Sequence, residues 1–596
     1  MVQSCYSVVI LLLVSQFGLQ VDGKPSDGVP EFRLALERIT ASMEPENDSK
    51  LPDPACVLCA QVANQVLDWF SQGLSRDELV NRTTQLCYTT GIAAEHICYG
   101  TIDSYADMFI WMVDEKNRTG DPVVASDFCG FAMYPDCPLE GPEYVWTLDL
   151  DFMGPKPLYQ VPQPPPEGSP TLQIVQFTDV HVDPNYVPGG DAECGEPTCC
   201  RFDQGAPDNS SGAAGYWGDY RDCDLPLHTY SNLVQQAAAS YPETAYVIFT
   251  GDIPDHGVWA TSLAGNTALF DFVFTEIQTN FPGIPILPIF GNHDPHPLNV
   301  YSSGDWTEVP QNVSQQWIYQ LAADTWGAWL GPGITSTVMR AGYYSYLLRP
   351  DLLVIALNNN VCYTYNWWLI YDSVDIGGQL VWLAQTLLQA ETAGQKVHLL
   401  MHLSGESGGC FEPWRTEFRR IVDRFENTIT AQFYGHTHDD VMTLYYALDD
   451  TSQPSLAAFS GGSGTPYSDH NANFKAYTIA GDYVGSEHRV LDAESWYFNL
   501  TEANLAGSAV PPNWQKLYSF NEAYGTTSML PDELDAIVYR MAANVSLQQQ
   551  YFEFQVRKAD SALASGCDTG CLQGNVCGIV SNTPGKCDEL PWATLV

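Results

Sequence analysis

Between residues 171 and 438 the chain returns six times to a short, β-rich apolar run, and most of these runs stop on an acidic, amide or imidazole side chain. The runs are TLQIVQFT (171–178), YVIFTGD (246–252), ILPIFGNHD (286–294), LLVIALN (352–358), KVHLLMH (396–402) and AQFYGHTH (431–438). Such runs, separated by longer connections, predict strands joined by helical crossovers, and so a layered α/β domain. In sheets of this kind the strand ends converge on one crevice, where ligands bind. The pattern therefore gathers Asp179 with His181, Asp252, Asn292 with His293 and Asp294, His402, and His436 with His438.

Carboxylate, amide and imidazole together suit a borderline divalent ion such as Zn²⁺, or Mn²⁺ or Fe²⁺. No cysteine falls among them, which excludes a zinc–thiolate structural site. Asp-x-His or a single Gly-Asp is a common pattern; the weight lies in all five motifs following one another at strand ends. His181, His256, His293, His402, His436 and His438 make up half of the chain's 12 histidines. His96, His228, His398 and His488 stand alone and read as structural residues.

The bulk composition narrows the class. At 596 residues the chain exceeds the size at which one hydrophobic core stops growing, so at least two domains are expected. With 45% apolar and 16% charged residues it is globular rather than disordered. A net charge of −46 repels phosphate backbones and excludes a nucleic-acid binder. The same charge fits two readings, a surface kept acidic for solubility or a mildly acidic compartment in which carboxylates protonate.

Residues 8–15 (VVILLLVS), followed by Val21-Asp22-Gly23, predict a signal peptide over 1–23, although its start carries no Lys or Arg. No later stretch approaches the ~18 apolar residues of a membrane-spanning helix, so no transmembrane anchor is expected. Of 17 cysteines, Cys5 leaves with the signal peptide and an even number remains, as an oxidising compartment requires. Asn-x-Ser/Thr acceptor sites stand at Asn47, Asn81, Asn117, Asn209, Asn312, Asn499 and Asn544. Together these place the chain in the secretory pathway, extracellular or lysosomal.

Residues 24–50 read as a polar pro-segment. Residues 51–141 carry Cys56, Cys59, Cys87, Cys98, Cys129 and Cys137, with apolar positions at helical spacing between them (Val62, Val66, Leu67, Phe70, then Ile102, Tyr105, Met108, Phe109, Met112, Val113). A Pro-rich linker fills 142–170, the α/β domain 171–500, and a helical subdomain 501–596. In that last part Pro531, Asp532 and Glu533 open a helix with the stripe Leu534, Ile537, Val538 and Met541, and Cys567, Cys571, Cys577 and Cys587 staple the tail.

The cysteine-rich stretch resembles the saposin family of lipid-handling helical modules, which implies nested pairs Cys56–Cys137, Cys59–Cys129 and Cys87–Cys98. A disulfide-stapled helical domain without a lipid role fits the same spacing. The order D-x-H, GD, GNH-D, H, GHxH resembles the calcineurin-like metallophosphoesterases. Further stretches, among them TDVHVDPNY (178–186), GYWGDYRDCDLPL (215–227), GDIPDHGVW (251–259) and LYSFNEAYG (517–525), are similar to the acid sphingomyelinase family over most of the chain. That resemblance implies a β-sandwich flanked by helices between an all-helical saposin-like domain and a helical C-terminal subdomain.

It further implies two Zn²⁺ per chain, one held by Asp179, His181 and His438, the other by Asn292, His402 and His436, with Asp252 bridging. A hydroxide shared by the metals would attack phosphorus in line, releasing ceramide and phosphocholine from sphingomyelin at a membrane contacted peripherally. His256 and His293 would contact phosphate and protonate the departing alkoxide, with Asp294 orienting His293. The implied disulfides beyond 141 are Cys194–Cys199, Cys200–Cys223, Cys362–Cys410, Cys567–Cys571 and Cys577–Cys587. In one place the chain departs from the family: Gly-His-x-Pro-Pro-Gly is replaced by Met401-His402-Leu403-Ser404-Gly405-Glu406. The ligand stays, the stiff loop is lost, and Glu406 stands where it bears on head-group preference.

Three other readings are compatible with parts of the pattern. They are a secreted phosphodiesterase of nucleotides or other small phosphodiesters, a lipid-transfer protein with a vestigial phosphatase fold, and a purple acid phosphatase. The last requires a Tyr where Asp255 stands.

Overall fold

The computed structural model describes residues 54–89, 91–405 and 408–593; the expected signal peptide with Cys5, the pro-segment with Asn47, and Glu406 lie outside them. The described chain divides into two compact units.

The first unit comprises residues up to 145 with 258–260 and 367–373. Its helices are α1 (Pro54–Ser71), α2 (Arg76–Thr89), α3 (Glu95–Thr119) and α4 (Ala125–Ala132). Ser75 starts α2 with a reciprocal cap: its hydroxyl accepts the Glu78 amide at 3.4 Å while the Glu78 carboxylate accepts the Ser75 amide at 3.1 Å. At the end of α3, Gly120 adopts φ 84°, a left-handed turn that a Cβ would oppose. One face of α1 buries Leu58, Cys59, Val62 and Ala63, and the small core around it includes Cys87, Cys98 and Cys129. Disulfides Cys56–Cys137, Cys59–Cys129 and Cys87–Cys98 tie the helices. The packing leaves an apolar cavity of about 170 Å³ lined by Val66, Leu67, Phe70, Tyr105, Phe109 and Ile110, among others.

The second unit carries the strands, in chain order β1 (Thr171–Phe177), β2 (Val182–Asp183), β3 (Leu225–Pro226), β4 (Thr244–Phe249), β5 (Ile286–Pro288), β6 (Tyr344–Arg349) and β7 (Leu352–Ala356). They continue as β8 (Lys396–Leu400), β9 (Ile429–Tyr434), β10 (Met442–Tyr446), β11 (Pro454–Ser460), β12 (Asn473–Ala480), β13 (Val490–Tyr497) and β14 (Gln515–Ser519). Two six-stranded sheets result, ordered β14-β13-β12-β1-β4-β5 and β10-β11-β9-β8-β7-β6. The runs β1-β4-β5, at one edge of the first sheet, and β7-β8-β9-β11, central in the second, are parallel, and β9 and β11 are buried at every residue.

Helices Gln379–Ala393 and Glu412–Arg424 cover one face of the second sheet through Leu383, Leu387, Trp414 and Phe418. The inner faces of the two sheets meet where Tyr477 packs on Phe433 and Phe459. There the Tyr246 hydroxyl also bonds His398 Nδ1 at 2.7 Å. The fold is a pair of facing mixed sheets flanked by helices, with a largely helical C-terminal region.

The Pro-rich segment is extended and fastened down. Asn427 accepts the Gln160 amide and donates to the Leu158 carbonyl, and Lys156 pairs with Asp423 and Glu426. The helix Pro531–Ala542 buries Leu534, Ile537, Val538 and Met541, as its stripe requires. Strand β14 is a departure from the expected purely helical tail: it lies beyond residue 500 and pairs antiparallel with β13, extending the first sheet. Its residues, Gln-Lys-Leu-Tyr-Ser, are exposed at the start and buried only at Ser519, and form no apolar run. Disulfides Cys194–Cys199, Cys200–Cys223, Cys362–Cys410, Cys567–Cys571 and Cys577–Cys587 complete the set. Acceptor residues Asn81, Asn117, Asn209, Asn312 and Asn544 are exposed. Asn499 is half-buried, capping the helix Leu500–Ala506 and bonding Asp560.

Candidate metal centre

Where β1, β4 and β9 end, the chain turns at once into strained backbone. Asp179, His181, Asp252, His436 and His438 all take positive φ, from 36° to 71°. Each costs a residue with a Cβ on the order of 1–2 kcal/mol, so the conformation persists only where neighbours over-determine it. Here the loops lash one motif to the next: the Asp179 amide donates to Gly251, the His181 amide to Asp252, and the Gly435 amide to His402. A Cβ at Gly435 would overlap the Asp179 carboxylate, and one at Gly291 the Asp252 carboxylate. Glycine in GNHD and GHTH is therefore a matter of close approach.

The result is a compact, buried cluster. His402 Nε2 lies 2.9 Å from Asn292 Oδ1 and 3.2 Å from Asp252 Oδ2, and His436 Nδ1 lies 2.9 Å from the same Asn292 oxygen. On the other side, His181 Nε2 is 3.1 Å from His438 Nε2 and 3.5 Å from Asp252 Oδ2, with Asp179 Oδ1 3.7 Å from His438. Asp252 Oδ2 thus stands between two groups of donors. His293 belongs to a third group with His181 and Asp252, whose ligand atoms all lie within 4.8 Å.

These side chains fit a pair of cations because of what they lack. His181 Nδ1 lies 2.8 Å from the Pro254 carbonyl and His402 Nδ1 2.7 Å from that of Thr250. Each bond claims the ring proton, so both Nε2 atoms present lone pairs. They face a carboxylate, an amide oxygen and another imidazole, an arrangement of acceptor against acceptor that only a proton or a cation relieves.

The titration behaviour reflects the same lack of positive charge. Burial pushes His402 down, but Asp252 and Asp179 carry it up to about 9. Burial lowers His436 to about 3 and His293 to about 4, and it drives His181 and His438 well below the usual range. Burial raises Asp179 to about 7, with Asp252 adding to it.

His256 is placed beside this cluster by a residue that the strand-end motifs do not single out. Asp224, fully buried, accepts His256 Nδ1–H at 2.8 Å and the His256 amide at 2.7 Å, and is itself held by Thr465. Burial alone lowers His256, and Asp224 more than reverses the effect. The ring stacks between His181, 4.1 Å between centroids, and Tyr467, 4.0 Å. His293 lies 4.7 Å from both His181 and His256.

Arg557, beyond the sheets in sequence, is completely buried and donates to the His438 carbonyl, to Asn471 and to Ser463, so the C-terminal region buttresses the fifth motif. Asp224 and Tyr467 come from loops without periodicity, and Arg557 follows a helix from which nothing marks it as inward-facing.

The expected role of Asp294 is corrected. Its carboxylate accepts the backbone amides of Ile253 (2.8 Å) and Gly291 (2.6 Å), tying the second motif to the third. His293 Nδ1 has no hydrogen-bond partner. A carboxylate one residue away in the chain points to the opposite side of the loop.

Comparison with known proteins agrees with this arrangement. Residues 172–440 match the model of the calcineurin-like phosphoesterases, and residues 467–583 that of the acid sphingomyelin phosphodiesterase C-terminal region. A sphingomyelin phosphodiesterase of Bos taurus is 34% identical over 86% of this chain and 80% of its own length. One of Homo sapiens is 34% identical over 87% of this chain and 81% of its own length. A cyclic GMP-AMP phosphodiesterase of Mus musculus is 28% identical over 71% of this chain and 92% of its own length. The chain is accordingly a metallophosphoesterase-type phosphodiesterase and belongs to the acid sphingomyelin phosphodiesterase family.

Proposed function

We propose that the protein hydrolyses sphingomyelin to ceramide and phosphocholine. The observation that carries the reading is the convergence of six candidate ligands around a seventh, Asp252, in a chain whose relatives over most of its length are sphingomyelin phosphodiesterases. Asn292, His402 and His436 would hold one ion, Asp179, His181 and His438 the other, and Asp252 both, with Zn²⁺ favoured by the imidazole-rich donor set. Bound there, two such ions polarise phosphoryl oxygens and lower the pKa of water.

The protein's own contribution is orientation and proton delivery. Asp224 fixes the His256 proton on Nδ1 and leaves Nε2 as the atom that can hold a second proton for the departing ceramide oxygen. His293, whose backbone amide donates to Asp252 and whose Nδ1 has no hydrogen-bond partner, is suited to contact phosphate. Sphingomyelin is a membrane lipid, and the apolar cavity of the helical unit supports a saposin-like, lipid-presenting role for residues 51–141. Eight disulfides fit the secretory pathway, whether lysosome or extracellular space. Among the described residues no helix is long and apolar enough to cross a membrane, which accords with peripheral contact.

The test is phosphocholine release from sphingomyelin vesicles by the zinc-loaded protein at mildly acidic pH. Release supports the reading; no release, alongside turnover of a soluble phosphodiester, overturns it. A second reading, hydrolysis of nucleotide phosphodiesters, draws on the likeness to the mouse enzyme. It would be favoured if a cyclic dinucleotide were turned over faster than sphingomyelin.

A further inference from the structure

One group of donor atoms lies far from the catalytic crevice and takes no part in it. Asp351, in the turn between β6 and β7, Asp482, after β12, and His488, before β13, bring their ligand atoms within 4.8 Å of one another. Ala480 pairs with Thr171, the first residue of β1, whereas Asp179 follows the last. A strand of that length separates the two places by roughly 20 Å.

We propose that Asp351, Asp482 and His488 form a third divalent-cation site, suited to Zn²⁺, that ties the two sheets together at the pole remote from the catalytic centre. Two carboxylates are by themselves an ordinary surface feature; the histidine makes the difference. Its side chain is completely buried, and its Nε2 takes no hydrogen bond although Asp351 Oδ1 is 3.2 Å away. Its Nδ1 lies 3.1 Å from the Ala480 carbonyl, which claims the ring proton and leaves the lone pair on Nε2. The same device orients His181 and His402, and it is the usual outer support of a metal-ligating imidazole.

The His488 carbonyl is in turn bonded by His398 Nε2 at 2.7 Å, so the backbone that carries the ligand is fixed from the second sheet. One imidazole and two carboxylates leave a tetrahedral ion one position for water. Arg349 lies 3.2 Å from Asp482 and shares its carboxylate, so the site binds more weakly than the catalytic pair. Lys396 and Arg489 are both engaged by Glu487 and add little net repulsion.

The experiment equilibrates the full chain with Zn²⁺, removes loose metal by gel filtration and counts zinc per chain by mass spectrometry. Wild type should hold about one ion more than the Asp351→Asn/Asp482→Asn double variant, with phosphodiesterase turnover unchanged. Both side chains are about half exposed, so the double variant keeps its fold. His488→Gln should lose the same ion, and if that variant does not fold, the double variant decides. Equal zinc in wild type and double variant overturns the proposal, because Asp351 then serves only as an ion-pair partner of His488. Loss of catalytic zinc in Asp252→Asn is a separate count and leaves this one unaffected.

Discussion

The helical unit and the sheet unit solve the problem of stability in opposite ways. The helical unit has a small core cluster in which four of eight buried residues are cysteines, and it leaves a partly open apolar cavity. The sheet unit is closely packed, yet it buries Asp179, His181, Asp252 and His402 at its strand ends, where desolvation is expensive. Three disulfides within residues 56–137 staple the first; the second has five spread over a far longer chain and relies more on packing, which lets it tolerate a knot of buried acceptors. One unit presents an apolar lining, the other a cluster of histidine and aspartate donors.

The comparison breaks hardest at Asp252. Asp252→Asn removes the charge between the two donor groups and should lower turnover by ~10³-fold or more with loss of bound metal, while the helical unit keeps its structure. Metal analysis beside steady-state kinetics checks both halves.

The next largest effect belongs to the other unit. Replacing Cys59 and Cys129 by Ala removes the inner of two nested staples; with Cys56–Cys137 intact the ring it closes is short, worth about 3 kcal/mol on a loop-entropy estimate. Limited proteolysis should cut this variant within residues 54–145. Hydrolysis of a soluble phosphodiester should persist while activity on vesicles falls. Loss of both activities together would mean that the two units do not separate the tasks.

Asp224→Asn probes the sheet unit more gently. Neutralising the partner of His256 should reduce sphingomyelin turnover by about 10–100-fold with metal content intact. An aryl phosphodiester, whose leaving group needs no proton, should lose much less.

The smallest expected effect is a change in pH dependence. Burial holds His398 at about 3, so it is neutral when folded and takes a proton when unfolded below about pH 6.5. Its folded pKa is depressed, so its contribution to stability is present above 6.5 and is lost as pH falls towards 3. His181, His436 and His293 act in the same direction in metal-free protein. His402 and Asp179, raised to about 9 and about 7, act in the opposite direction, so the check is the variant itself: His398→Gln should lose less melting temperature than the wild type between about pH 6.5 and 3.

How much of this the sequence contains differs by region. The strand-end motifs were legible because Asp179, His181, Asp252, Asn292, His402, His436 and His438 each close an apolar run, and the turn glycines beside them mark where backbones approach. Strand β12 was hidden because Asn473 and Lys475 interrupt its apolar residues; both are buried, with Lys475 held by Asp440. Asp224 and Arg557 were invisible for a deeper reason. Their effect is exerted across tertiary contacts, on His256 and on the His438 carbonyl, and neither belongs to a repeating pattern. Asp294 misled because nearness in sequence says nothing of the side of a tight loop on which a carboxylate emerges.

The central claim is that two cations meet at Asp252. Anomalous diffraction at the zinc edge, from crystals of the full chain grown with Zn²⁺, tests it most directly. The account predicts two peaks flanking the Asp252 carboxylate, roughly 3.5–4 Å apart, one beside His181 and His438 and the other beside His402 and His436. A crevice without such a pair under saturating zinc would contradict it.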